Sequence, residues 1–150
     1  MQAAQKGISR WRLITVVAGI GAALFFLGTV NAWYANYGAR SQMDEAVRLL
    51  DAAKTPVAQY YADKRRWPGP ADKVMPVTGG KYTDRLEIAT GAGAHAGTGT
   101  ITATMKTTGV NAMLQGRTVQ MSSPDGKSWT CRPGTDNGVE PIYLPAACRP

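Results

Sequence analysis

Few residues of this sequence could carry out chemistry. Two cysteines, Cys131 and Cys148, lie near the C-terminus, and His95 is the single histidine. A metal site needs more ligands than two thiols and one imidazole, and a catalytic cysteine would need His95 as its base. A disulfide between the two cysteines is the economical alternative if this part of the chain is exported. The sequence therefore predicts a Cys131–Cys148 disulfide, no metal site and no cofactor.

The glycine-rich segment 91–99, GAGAHAGTG, is the second stretch that could bind a ligand. It contains no Gly-Lys-Ser/Thr motif and no helical pattern follows it, so it does not match a phosphate-binding loop. A flexible turn between two strands accounts for it. The sequence also lacks a pair of acids at a recognisable catalytic spacing. We expect a protein without enzymatic activity.

A cluster of cations precedes Trp67 and consists of Lys64, Arg65 and Arg66. Positive charge beside an aromatic ring suits the phosphates and bases of a nucleic acid. The same cations could instead stabilise the negative end of a helix dipole, which is the simpler interpretation. The four residues are therefore a candidate polyanion site, with a helix C-terminus as the alternative.

The longest apolar stretch of the chain is Leu13–Trp33. Its first eighteen residues carry no charge. As a helix they would reach most of the way across a hydrocarbon core of about 30 Å. Lys6, Arg10 and Arg12 precede the stretch, so the N-terminus should stay cytoplasmic and the remainder should be exported. A cleavable signal peptide is the alternative, but its apolar region is usually only about 7 to 15 residues long.

The pattern then changes to that of an amphipathic helix, Ser41–Asp63, which the Trp67-Pro68 pair should end. Its apolar residues recur mostly by threes and fours. They are Met43, Val47, Leu50, Val57 and Tyr61.

Farther along, apolar residues alternate with polar ones, which indicates strands with one buried face. They are Leu86 and Ile88, then Ile101, Ala103 and Met105, then Val119 and Met121. Residues 128–131 could supply a fourth strand, and the Pro- and Gly-containing segment 132–150 is expected to be an irregular surface loop. The expected class is α+β, with a long N-terminal helix packed on an antiparallel sheet of about four strands and a C-terminal disulfide loop.

Several segments resemble the type IVa pilins. Gln5-Lys6-Gly7 before an apolar helix is similar to the leader of type IV prepilins. The segment Tyr37–Pro68 resembles the helix of the major pilins, and the segments 101–105, 129–131 and 143–149 resemble their C-terminal part.

This resemblance implies a leader at 1–7, cut by a membrane peptidase between Gly7 and Ile8, and methylation of the new N-terminus. It also implies a transmembrane and filament-core helix at 8–35 and an exported pilin-like domain at 36–150.

The resemblance further implies a pilus subunit that waits in the inner membrane and joins other pilins through the pilus assembly machinery. Such filaments serve adhesion, twitching motility or DNA uptake.

The fifth residue after the cut is almost always Glu in the family, where it is thought to pair with the methylated amine, but here it is Arg12. Two like charges in a low-dielectric core repel each other. We therefore predict a minor or accessory pilin. The alternatives are a major pilin and a membrane-tethered binding module for DNA uptake or adhesion.

Overall fold

The computed structural model describes residues 10–69, 72–91 and 97–150. Its elements are helix α1 (Arg10–Lys64) and strands β1 (Thr83–Thr90), β2 (Gly99–Met105), β3 (Thr118–Ser123) and β4 (Thr130–Pro133). Short 3-10 helices are found at Ala112–Leu114, Pro141–Tyr143 and Ala146–Cys148. Contacts between Cα atoms divide the chain into two units, 1–35 and 36–150, which are described separately.

In the first unit, residues 10–35 are helical. Large apolar side chains on this segment are exposed, among them Ile14, Leu24 and Phe25. Of the residues that the structure describes, no helix has a segment that is both long and apolar enough to cross a membrane. The side chains of Leu13 and of residues 31–33, which belong to the predicted span, lie outside the described residues.

In the second unit, the helix buries one stripe whose members are spaced by four and three residues, as expected for one helix face. They are Ala39, Met43, Ala46, Leu50, Ala53 and Val57. The prediction that Met43, Leu50 and Val57 face the core is confirmed, whereas Val47 and Tyr61 are only half-buried.

Helix α1 ends at Lys64, three residues before the predicted stop at Trp67. Arg65 adopts a left-handed backbone conformation with φ of 55°. Its N–H still donates to the carbonyl oxygen of Tyr61 at 2.9 Å. A left-handed residue after the last helical turn is a common way for a helix to stop, although glycine usually fills that position.

The sheet is antiparallel, with the strands in the order β1-β2-β3-β4. Its register places the predicted apolar residues opposite one another. Ile88 pairs with Ile101 and Ile101 with Met121. The three alternating strands are therefore confirmed, and the fourth forms at Thr130–Pro133, slightly later than expected. The inward side chains form one core with the stripe on α1, so the predicted α+β fold is confirmed.

The predicted disulfide is present, with 2.00 Å between the sulfur atoms of Cys131 and Cys148. The expectation that the segment 132–150 is only a surface loop is wrong, because Val139, Tyr143 and Leu144 are buried in the core. Two 3-10 turns make this burial possible, since the N–H groups of Leu144 and Cys148 find carbonyl partners three residues earlier. Backbone groups satisfied in this way can leave the solvent.

Candidate functional site

Arg66, one of the predicted polyanion-binding cations, is already paired. Its Nη1 and Nη2 atoms each lie 3.0 Å from a different carboxylate oxygen of Asp72. Asp72 also accepts hydrogen bonds from the Tyr60 hydroxyl at 2.8 Å and from the Gly69 N–H at 2.6 Å. These donors, Arg66 foremost, hold the pKa of Asp72 well below its usual range. Arg66 therefore fastens the chain after α1 rather than presenting a free charge.

Trp67 belongs to the core and is only 6% exposed. Its ring stacks on Tyr61 with 4.1 Å between the ring centres and meets Trp129 edge-on at 6.1 Å. Its Nε1–H donates to the Gly97 carbonyl oxygen at 2.6 Å. A side chain at Gly99 would overlap the Trp67 ring, so that position requires glycine. Trp67 consequently offers no free face on which a nucleic-acid base could stack.

The remaining two cations of the predicted site, Lys64 and Arg65, are exposed. In the described part of the chain neither side chain has a hydrogen bond or an ion pair. The structure adds Lys127, which sequence analysis missed, because Gly126 in the β3–β4 turn packs against Tyr61 of the same helix end. No local signal could have found Lys127, since only the fold brings this turn to α1.

Two carboxylates, Asp63 and Asp125, reduce the net positive charge at the end of the unit where Lys64 and Arg65 lie. Asp63 is exposed beside Lys64. Asp125 Oδ1 accepts hydrogen bonds from the N–H groups of Ser128 and Lys127 at 2.8 and 2.9 Å. These bonds hold the pKa of Asp125 below its usual value, so it stays ionised. The surface is therefore of mixed charge.

Glu45 anchors the loop before β1, a role that the sequence did not reveal. Its Oε1 atom accepts hydrogen bonds from the N–H groups of Tyr82 at 2.8 Å and Thr83 at 3.3 Å. A side chain at Gly80 would overlap the Glu45 carboxylate. This contact ties the segment that leads into the sheet to the middle of the helical part of the unit.

A cleft of about 1170 Å³ lies on the outer face of the sheet. Its floor carries the hydroxyl groups of Thr100, Thr102 and Thr104, and the loops 73–75 and 135–137 line its sides. No group of three or more His, Cys, Asp or Glu residues in the described segments is placed to hold a metal ion.

Other predicted residues lie outside this description. The proposed cleavage position, Gly7 and Ile8, and the loop residue His95 are outside the described residues. Arg12 lies on α1, but its side chain is not described either. Their predicted roles stay predictions.

The fold defines a class of protein in which one helix face packs on a four-stranded antiparallel sheet and a disulfide closes the C-terminal segment. Comparison with known proteins agrees with this class. A family model described as pilin, a bacterial filament protein, matches residues 39–149.

Individual relatives match nearly the whole chain. The fimbrial protein EcpC of Eikenella corrodens is 37% identical over 150 aligned residues, which cover 97% of this chain and 91% of that protein. The type IV major pilin protein PilE of Neisseria gonorrhoeae is 26% identical and covers 99% of this chain and 96% of its own length. The chain belongs to the type IV pilin family. It is a structural subunit of a pilus, a filament of the bacterial surface.

Proposed function

We propose that this chain is a minor or accessory pilin that is inserted in the inner membrane, N-terminus in and C-terminus out, before it joins a pilus. The observation that carries the proposal is Arg12. An arginine cannot neutralise the methylated amine of a neighbouring subunit, and two cations in a low-dielectric core repel each other. Beside a conventional subunit, the same Arg12 would meet an unpaired Glu and gain Coulomb energy.

The membrane stage is supported by the uncharged run 13–30 in the sequence and by the cations that precede it. In this proposal a prepilin peptidase cuts between Gly7 and Ile8, and the pilus assembly machinery then extracts the subunit. Mass spectrometry of the mature protein should find an N-terminus that begins at a methylated Ile8. An uncut N-terminus would contradict the processing step.

The proposal is tested by the yield of sheared pili from cells in which this protein is the only pilin. Unaltered protein should give few pili, and Arg12→Glu should raise the yield several-fold in immunoblots and electron micrographs. Arg10→Glu is the matched control, because it makes the same charge change two residues away and should not raise the yield. Abundant pili from the unaltered chain would contradict the accessory role and favour a major pilin, the name carried by several Neisseria relatives.

Polyanion binding, as in DNA uptake, is a second candidate that the exposure of Lys64 and Arg65 favours. Fewer residues are available for binding than the sequence indicated, because Arg66 is held by Asp72 and Trp67 is buried. Salt-dependent gel shifts with the full chain in detergent test it. Lys64→Gln with Arg65→Gln should weaken binding, whereas Arg85→Gln, which alters a cation already paired with Asp84, should not.

A further inference from the structure

The cleft on the outer face of the sheet has a row of hydroxyl groups on its floor. Thr100, Thr102 and Thr104 of β2 are half-buried, whereas the residues between them are buried in the core. Side chains two residues apart lie on the same face of a strand, so the row is about 14 Å long. Among the described residues, none of these three hydroxyls has a hydrogen-bond partner. The row is therefore available to a ligand.

Gln120 of β3 adds an amide donor to this floor. It pairs with Thr102 in the sheet, lines the cleft and is only 9% exposed. Its Oε1 atom accepts from the N–H and the hydroxyl of Thr135, both at 3.2 Å. A backbone N–H can only donate, so the amide oxygen must face Thr135, and in the described part of the chain Nε2 has no acceptor. A ligand oxygen in the cleft would supply one to this largely buried group.

The wall formed by the loop 135–137 is held in place by hydrogen bonds. The Thr118 hydroxyl donates to the carbonyl oxygen of Asp136. The Asn137 Nδ2 atom donates to the carbonyl oxygen of Gly116 at 2.7 Å. A wall that is fixed before the ligand arrives lowers the entropy cost of binding.

The charges around the cleft cancel. Two cations and two carboxylates are found among the described residues that line it, namely Lys73, Arg85, Glu87 and Asp136. Arg85 is also paired with Glu87 at 3.2 Å and with Asp84 at 3.0 Å. A polyanion depends on net positive charge, which this cleft lacks. An apolar ligand would cover the hydroxyl groups and leave them without water.

An extended peptide is also a poor match for this floor. Peptides that add to a sheet bind through the free backbone groups of an edge strand. Strand β2 is central, and its backbone is paired with β1 on one side and with β3 on the other. The floor therefore offers side-chain hydroxyl and amide groups to a ligand, and no row of backbone groups.

We propose that this cleft binds an uncharged oligosaccharide, which lies along the threonine row and accepts a hydrogen bond from Gln120 Nε2. Sugar hydroxyls donate and accept hydrogen bonds, as threonine hydroxyls do. Val74 and Met75 on the other wall are half-buried and offer apolar surface to the C–H groups of sugar rings. A volume of about 1170 Å³ exceeds that of most small-molecule pockets and leaves room for several rings. This site does not depend on Arg12 or on whether the subunit is minor or major.

Methyl NMR of the full chain tests the proposal, with isotope-labelled threonine methyl groups and a phosphocholine detergent, which has no sugar headgroup. The probes are maltotriose, cellotriose, triacetylchitotriose and lacto-N-tetraose at millimolar concentration. A heparin tetrasaccharide and the uncharged peptide acetyl-Thr-Ser-Thr-Ser-Thr-amide are the comparison ligands. Signals are assigned with single threonine-to-valine variants, each of which loses one signal.

Thr102→Val is the test variant, because it removes the central hydroxyl of the row and keeps the branched shape of the side chain. Its melting temperature should not change, since that hydroxyl has no partner among the described residues. Thr130→Val is the matched control, because it makes the same change on the neighbouring strand β4, outside the residues that line the cleft.

At least one of the four neutral oligosaccharides should shift the methyl signals of Thr100, Thr102 and Thr104 and leave that of Thr130 in place. Thr102→Val should weaken this binding several-fold, and Thr130→Val should leave it unchanged. The proposal is overturned if none of the four shifts these signals, or if Thr102→Val binds as tightly as wild type. Stronger shifts with the heparin tetrasaccharide, or shifts with the peptide alone, would assign the cleft to a polyanion or a peptide and would also overturn it.

Discussion

Single side chains show how much a residue's role depends on its partners. Arg66 looks like a free cation in the sequence, yet it is held by a carboxylate that lies in the next loop. The guanidinium also lies 5.1 Å from the centre of the Tyr60 ring, whose hydroxyl donates to the same Asp72. Arg66, Tyr60 and Asp72 therefore act as one group that fixes the turn after α1.

Asp72→Asn should lower the melting temperature at pH 7, because the amide cannot form the charged two-bond pair with Arg66. The pKa of Asp72 is lowered in the folded state, so its contribution is present above its unfolded pKa of about 3.9 and is lost as the pH falls through the folded value. The difference between wild type and variant should therefore shrink as the pH falls from about 4 toward 2. Circular dichroism melting curves of the full chain in detergent measure this.

The control for this prediction is Asp84→Asn, which removes an ion pair between two half-exposed side chains. Exposed pairs contribute little, so its melting temperature at pH 7 should change only slightly. Equal melting temperatures for Asp72→Asn and wild type at pH 7 would show that the Arg66 pair does not stabilise the turn.

The sequence predicted some of these residues and not others for a physical reason. Cys131 and Cys148 could be paired because the chain has only two cysteines. The burial of Trp67 could not be predicted, because its partners Gly97 and Trp129 are remote along the chain. Contacts of this kind depend on loop placement, which no local pattern encodes.

At the scale of elements, the strands were predictable because apolar and polar residues alternate along them. Burial follows this alternation in β2, whereas every residue of β3 is buried. The helix stripe was predicted only in part, since Ala39, Ala46 and Ala53 are as buried as the larger residues between them. Because the alanine side chain is small, alanine contributes little to an apolar periodicity in the sequence. The C-terminal 3-10 turns were missed because three-residue elements have no periodicity to detect.

Glu45 links α1 to the loop before β1, and its substitution tests this link. Glu45→Ala leaves the N–H groups of Tyr82 and Thr83 without an acceptor and should cost about 1–3 kcal/mol. Glu45→Gln keeps a carbonyl oxygen at the same place and should restore most of the stability. Amide hydrogen exchange at residues 82 and 83 reports the link directly and should accelerate in the alanine variant alone. Unchanged exchange there would mean that the loop is held by other contacts.

At the scale of the whole molecule, the buried core and the exposed cations occupy different parts of the chain. The 36–150 unit contains the core, since the buried apolar residues of the described chain run from Ala39 to Cys148. Lys64 and Arg65 lie where α1 ends, and the β3–β4 turn with Lys127 packs against the same end of the helix. The helical segment from Tyr37 to Lys64 is about 40 Å long.

A shortened protein that begins at Asn36 should fold by itself, because its core needs no residue from the first unit. Its stability should depend on the disulfide, which joins residues 17 apart. Closing a loop of that size restricts the unfolded chain by an amount worth about 3 kcal/mol, so a reductant should lower its free energy of unfolding by about that much. The measurement is urea unfolding followed by tryptophan fluorescence, with free thiols assayed to confirm reduction.

The variant with Cys131→Ala and Cys148→Ala is the control. Its free energy of unfolding should match that of the reduced protein and should not change when the reductant is added. Equal stability before and after confirmed reduction would show that the packing of Val139, Tyr143 and Leu144 holds the C-terminal segment without the disulfide.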